Sequence, residues 1–224
     1  MKLEQAIGEL STLCGKSIDS IIQGLPPNLR HDKGKVGKLL ELHLGLQLGT
    51  NHTDFEDAEL KTNKVKSNGK PEETIAITQI TGDIDSLISD SPVAFEQSRI
   101  YTKIKNLVIV PVIKEGLEKD WRFGHIYQVD FEKDVELRQQ LHSDYDSIVG
   151  QLNLQVSASG DGFIHTSNGA YLQIRSKAGS PPYLPIYSNY LKRNVANKYH
   201  AFYFRKQFML HLRDEGPKYR LCQH

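Results

Sequence analysis

Cysteine is nearly absent from this 224-residue chain: Cys14 and Cys222 stand alone, with no CxxC or Cys/His spacing around either. That excludes a zinc-binding knuckle and a disulfide framework as organising devices, and the two thiols read as buried, inert side chains. Long apolar runs are missing as well. No segment approaches the roughly 20 apolar residues of a membrane span, and Glu4 and Glu9 in MKLEQAIGEL interrupt the apolar stretch a secretory signal needs. The expected location is the cytoplasm. Net charge is scarce too, +1 overall, which taken whole argues against a polyanionic partner.

The composition that remains, 38% hydrophobic and 25% charged, suits a globular domain long enough to bury a proper core. The small net charge hides an asymmetry. Residues 171–224 carry ten Lys/Arg against Asp214 and Glu215, a local +8, whereas residues 81–150 hold eight against thirteen Asp/Glu, a local −5. A basic C-terminal region is the electrostatic footprint of a polyanion binder, with a solvated basic face as the plain alternative.

Hydrophobic spacing predicts helices at the N-terminus (Leu3, Ile7, Leu10), around Ile18 to Ile22, and from Val36 through Leu39, Leu40 and Leu44 to a stop at Gly45. GLPPNLRHDKG breaks the pattern between them. ELKT and TIAITQI read as adjacent strands separated by the turn SNGKPEE. A helix is expected near 94–103, then LVIVPVI as a buried central strand, or the end of one at Pro111. WRFGHIYQVDF alternates like a strand, and Val135 to Val149 reads as a helix with Leu137, Leu141 and Ile148 inward. After the turn SASGDG, FIHTSNGAYLQIRSKAG resembles a hairpin turning at Asn168 and Gly169. A loop rich in Pro and Tyr leads to AFYFRKQFMLHLR, read as one helix with Phe204, Phe208 and Leu212 on one face and Arg205 and Lys206 on another. Helices and strands interleave, so the expected class is α/β.

The segment TDFEDAELKTN carries the chemistry. A strand sends alternate side chains to opposite faces, so Glu59 and Lys61 share one face while Leu60 points into a core. With Asp54 just upstream, two carboxylates and an ammonium converge. That set suits a hard divalent cation beside a water that needs activating, as phosphodiester hydrolysis requires. Among the acidic residues, only Glu59 is followed two positions later by Lys. Glu41, on the helix ending at Gly45, reads alone as a solvent-facing helix residue.

Four blocks, LPPNLRHDKGKVGKLLELHLG, DFEDAELKT, YLQIRSKA and AFYFRKQF, occur in an order that resembles the MutH DNA mismatch-repair endonuclease family, together with related type II restriction enzymes that cut at GATC. The resemblance spans most of the chain. It implies a restriction-endonuclease-like α/β fold, with a central mixed sheet flanked by helices and two lobes around a DNA cleft. The whole of 1–224 would be a single such domain, with a catalytic lobe at about 1–125 and a DNA-reading part at about 150–224.

Carried over residue by residue, the resemblance makes Asp54 and Glu59 ligands of Mg2+, with the Leu60 carbonyl as a third. Lys61 would orient or help deprotonate the attacking water, and Glu41 would lean in from its helix as an outer acid. Lys103 matches a lysine that assists at the site, and reads equally well as a helix-surface lysine. Arg175 and Lys177 match a base-contacting loop, or are edge-strand charges. Tyr203 matches a tyrosine that senses an adenine, or is a half-buried core aromatic. Lys33 would approach a phosphate or base edge, and Arg205 and Lys206 add further contacts to duplex DNA.

Two departures bear on function. The segment between the Asp and the ELK is two residues shorter than in mismatch-repair members, so Asp57 rivals Asp54, and Ala76 stands where those members carry a phenylalanine near DNA. The leading expectation is therefore a Mg2+-dependent restriction-type endonuclease, monomeric or homodimeric, cutting duplex DNA at GATC or a related site. The runner-up is a mismatch-repair nickase of hemimethylated GATC that needs a MutL-type activator, and the third is a non-catalytic DNA-binding module.

Overall fold

Leu3, Ala6, Leu10 and Leu13 recur at helical spacing and are all buried, so the chain opens in helix α1 (Leu3–Leu13) with one apolar stripe facing inward. The structure, a computed structural model, describes residues 1–22, 34–47, 52–158, 164–177 and 181–222. A short α2 (Asp19–Ile22) follows, then α3 (Lys35–His43). The chain leaves α3 through Gly45 at φ +72°, a left-handed conformation that a residue with a Cβ adopts at a cost.

Next come β1 (Glu59–Val65), β2 (Ile75–Gln79), α4 (Ile84–Leu87), α5 (Arg99–Ile104), β3 (Asn106–Ile113), β4 (Arg122–Phe123), β5 (Tyr127–Asp130) and the long α6 (Val135–Ala158). The chain then forms β6 (Ser167–Asn168), β7 (Leu172–Ser176), β8 (Ile186–Ser188), β9 (Arg193–Ala196) and β10 (His200–Phe204), and closes with α7 (Lys206–Asp214) and α8 (Gly216–Tyr219). The protein is α/β. No helix among the described residues is long and apolar enough to cross a membrane.

The chain clusters into two compact units, each discontinuous in sequence. The first comprises Met1–Ile75, Lys103–Glu132 and Met209–His224. Its sheet is mixed and centres on β3, which pairs in parallel with β1 (Glu59 opposite Leu107, Val65 opposite Ile113) and antiparallel with β4 and β5. Leu60, Val108, Val110 and Val112 pack against α1 and against Val36 and Leu40 of α3 in one core cluster. Each such side chain contributes about 1.5–3 kcal/mol on burial.

Pro111 does not end β3. Its carbonyl accepts the Gly124 N–H at 2.8 Å. In a strand the N and C=O of one residue point the same way, so the missing N–H falls where β5 gives way to β4 and no ladder bond is required.

The second unit comprises Ala76–Thr102 and Lys133–Phe208. Its sheet runs β2-β10-β7-β6, and β8 pairs with β9 as a separate hairpin. Leu137, Leu141, Ile148 and Leu152 of α6 are buried, and the Tyr145 ring stacks on Phe202 of β10 with centroids 5.9 Å apart.

Several expectations need correction. ELKT and TIAITQI are not neighbours: β1 pairs with β3 and β2 with β10, because the apolar run of β3 offers β1 a partner buried over nearly its whole length. AFYF is the end of strand β10, not the start of the last helix. Its alternation lets Phe202 and Phe204 be buried while Tyr203 stays half-exposed, and the helix begins only at Lys206. Helix α6 runs on to Ala158, past the expected end at Val149. Cys14 and Cys222 are not separate thiols but a disulfide pair with Cα atoms 6.5 Å apart, a long-range pairing that isolated cysteines do not advertise in sequence.

Candidate active site

The pleat of β1 sends Leu60 into the core and leaves Glu59, Lys61 and Asn63 on the opposite face. Glu59 is 1% exposed. Its Oε1 accepts hydrogen bonds from Lys61 Nζ and from Lys103 Nζ, the latter at 2.9 Å from the last turn of α5. Its Oε2 is buried with no hydrogen-bond partner among the described residues. An ionised carboxylate so placed lacks the water that would otherwise satisfy it, a costly arrangement that calls for a functional reason.

Asp54 precedes the strand, and its Oδ2 accepts the Leu60 N–H at 2.8 Å, which ties the upstream turn to the strand that carries Glu59 and Lys61. Burial, and then the Glu59 charge, push the Asp54 carboxyl above its ordinary range, against the opposing pull of Lys61, the Leu60 N–H and Lys103. Glu41 belongs to the same electrostatic group. Burial raises its carboxyl, Asp54 and Glu59 add to the rise, and Lys61 and Lys38 oppose it. Helix α3 brings Glu41 here because it packs close over β1, with Gly37 against the Thr62 side chain, one helical turn before Glu41.

Asp57, the rival to Asp54, is engaged elsewhere. Its Oδ1 accepts the Leu3 N–H at 2.9 Å and so satisfies a free donor at the start of α1. Glu41, Asp54, Glu59, Lys61 and Lys103 thus gather within the first unit, and Asp57 is not among the charges that shift Glu41 or Asp54.

The donor chemistry fits a hard divalent cation. Burial first, and then the neighbouring carboxylates, raise Asp54 and Glu41, and one buried oxygen of Glu59 has no hydrogen-bond partner among the described residues. Both features are relieved by a positive ion, and carboxylate and carbonyl oxygens are the ligands Mg2+ prefers. Among the described residues no three His, Cys, Asp or Glu are drawn together as a finished ligand set. The fit rests on Asp54 and Glu59, with the Leu60 carbonyl beside them.

The expected DNA-reading residues lie in the second unit. β7 and β10 pair with Arg175 opposite Ala201 and Gln173 opposite Tyr203, so Arg175, Gln173 and Tyr203 share one face while Ile174, Phe202 and Phe204 pack on the other. The exposed Arg175 guanidinium sits over the Tyr203 ring, 5.2 Å from its centroid. Burial raises the Tyr203 phenol, and Arg175 opposes that. Lys177, past the end of β7, and Lys206, opening α7, are exposed.

Arg205 does not share that placement. Its Nη1 donates to the Gly169 carbonyl and, at 3.3 Å, to the Ala170 carbonyl, so it braces the β6–β7 turn from within the protein. Lys33 lies outside the described residues.

Two residues escaped the sequence reading. Gln173 is 8% exposed, and its Nε2 has no hydrogen-bond partner among the described residues, on the face that carries Arg175 and Tyr203. The strand alternation of QIR carried the signal, since Gln173 and Arg175 must share a face. Asp144, buried on α6, accepts the N–H groups of Ala170, Tyr171 and Leu172 at 2.7, 2.5 and 2.8 Å and so fixes the start of β7. Gly169 makes room for that carboxylate, since a Cβ there would overlap it. No local pattern marks Asp144, because its partners lie 26–28 residues away.

Comparison with known proteins adds an independent line. Residues 44–144 match the family model described as DNA mismatch repair enzyme MutH. Over 220 residues the chain is 31% identical to the DNA mismatch repair protein MutH of Escherichia coli O127:H6, covering 92% of this chain and 89% of that protein. It is also 31% identical, over 221 residues and with the same coverage, to the protein of that name from Shigella flexneri serotype 5b. Among solved structures, a restriction endonuclease MvaI–cognate DNA substrate complex covers 92% of this chain and 95% of its own at 14% identity. The TM-score of that match is 0.39.

Proposed function

Since the chain belongs to the MutH family of DNA mismatch repair enzymes, we propose that it is a Mg2+-dependent endonuclease that hydrolyses phosphodiester bonds in duplex DNA at a short site, GATC or a relative, in the cytoplasm. The observation that carries this reading is Glu59: a buried carboxylate held by two lysines at one oxygen, with no donor among the described residues at the other, beside the raised carboxyls of Asp54 and Glu41.

Asp54 and Glu59, with the Leu60 carbonyl, would hold the ion. When bound, the cation supplies positive charge to the phosphate oxygens and acidifies water. The rest follows from the chain's own groups. Lys61 is exposed enough to meet substrate while still bonded to Glu59, so it can hold the attacking water in line and add positive charge where the phosphate gains negative charge. Lys103 holds Glu59 Oε1 from the far side and fixes the rotamer of that carboxylate. Glu41 adds negative charge next to Asp54, which strengthens the attraction of the pair for a divalent cation. Arg175 offers a guanidinium fork suited to a guanine edge, and Tyr203 offers a ring suited to packing near an adenine N6.

Within the family, we favour a restriction-type enzyme that cuts without a helper, on the shortened segment before ELK and on Ala76 in the place of a phenylalanine. The second reading, a nickase dependent on a MutL-type activator, is favoured by the names of the relatives that match over 92% of the chain. Purified protein incubated with unmethylated supercoiled plasmid and Mg2+ tests both. Complete linearisation without added protein is expected. Intact plasmid with the protein alone, converted to nicked circles once a MutL-type activator is added, would favour the nickase, and no strand cleavage with or without that activator at any adenine methylation state would contradict the endonuclease reading.

A further inference from the structure

At the C-terminal end of β1, a half-enclosed pocket of about 430 Å³ opens in the first unit. It is separate from the carboxylate site. Six strand steps separate Glu59 from Val65, about 20 Å at the rise of a β-strand. Its polar lining includes Arg122, Arg213, Arg220, His125 and Tyr127, and no Asp or Glu lines it among the described residues. Val65, Ile113, Phe123 and Met209 supply an apolar wall.

Two of the arginines are built in. Gly69 stands at φ +76°, and a Cβ there would lie 3.1 Å from the Arg213 Cδ, while a Cβ on Gly216 would lie 2.7 Å from the Arg220 guanidinium. A side chain at either glycine would push its arginine away. Arg220 lies close enough to the Tyr127 phenol to lower it against the rise from burial, yet its Nε is buried with no hydrogen-bond partner among the described residues. Arg213 shares its charge with the exposed Asp214 at 2.7 Å, outside the lining.

We propose that this pocket binds a nucleoside 5′-phosphate, with the arginines on the phosphate and the apolar wall against the base or sugar. Guanidinium forks match phosphate oxygens in paired hydrogen bonds. The volume is that of a small-molecule site, larger than inorganic phosphate alone requires. Two sources share this chemistry, a free nucleotide and the 5′-phosphorylated end of a DNA strand.

Calorimetric titration of the full chain with AMP tests the proposal, with adenosine and inorganic phosphate as comparison ligands. AMP is expected to bind saturably and more tightly than either comparison. Arg122→Met and Arg213→Met should each weaken it by about tenfold or more, and Glu59→Gln should leave it unchanged. Displacement of AMP by a short 5′-phosphorylated duplex, but not by its unphosphorylated form, would identify the DNA end as the source, and failure of both to displace it would identify a free nucleotide. Absence of saturable AMP binding up to about 5 mM, equal binding by both arginine variants, or loss of binding in Glu59→Gln would overturn the proposal.

Discussion

Two buried carboxylates, one in each unit, are treated in opposite ways. Asp144, 3% exposed, receives three backbone N–H groups and the Gln140 amide, so all of its charge is answered by the protein. Glu59, 1% exposed, has two lysines at one oxygen and no hydrogen-bond partner among the described residues at the other, and lies among carboxyls that repel it. Equal burial with unequal satisfaction separates a carboxylate that holds a fold together from one that awaits something from outside. The first stabilises the β6–β7 turn. The second carries an unanswered oxygen that, under the proposed function, a cation would satisfy.

Substitutions should divide along that line. Glu59→Gln should cut cleavage by about a thousandfold while leaving the melting temperature unchanged or higher, because it removes a poorly satisfied charge. A variant that unfolds with unchanged specific activity would place Glu59 with Asp144.

Asp144→Ala should do the reverse. Stranding three buried N–H groups should cost about 3 kcal/mol or more, lowering the melting temperature by roughly 6–12 °C for a chain of this size. The metal dependence of any folded fraction should be normal, and an unchanged melting temperature would contradict the contrast.

A smaller effect is expected at the reading face. Arg175→Ala, and separately Gln173→Met, should lose roughly 1–3 kcal/mol of discrimination between cognate and single-mismatch duplexes. Competition binding measures this, and equal loss for cognate and mismatched DNA would reduce both residues to non-specific contacts.

The smallest effect is a slope. Asp54 and Glu41 are held above their ordinary values of 3.8 and 4.5 by burial and by neighbouring carboxylates. A carboxyl raised in the folded state takes its proton there before the unfolded chain does. Metal-free stability therefore declines as pH rises from those ordinary values through the raised ones, then levels off. Between about pH 4.5 and about pH 7 the wild type should lose more melting temperature than Asp54→Asn, and parallel profiles would remove this strain from the account.

Local chemistry was the legible part of the chain. The alternation of ELK fixed which way Glu59, Leu60 and Lys61 point, and Gly45 marked the end of α3, because both depend on neighbours a few residues apart. Partners across the chain were hidden. That β1 pairs with β3, that AFYF is a strand between β7 and β2, that Cys14 meets Cys222 and that Asp144 holds Ala170 are all set by tertiary packing, which overrides short-range periodicity. Arg205 shows the same limit. Its place in the AFYFRKQF block suggested a DNA contact, and its guanidinium donates to two carbonyls, which no local pattern signals.

Lys61 offers the most direct test. In single-turnover cleavage of an unmethylated GATC duplex with Mg2+ and excess protein, paired with binding in Ca2+, Lys61→Ala should lose about a thousandfold or more in rate and keep DNA affinity within about threefold. Cleavage by Lys61→Ala at the wild-type rate would contradict the assignment of this corner of the first unit as the nuclease centre.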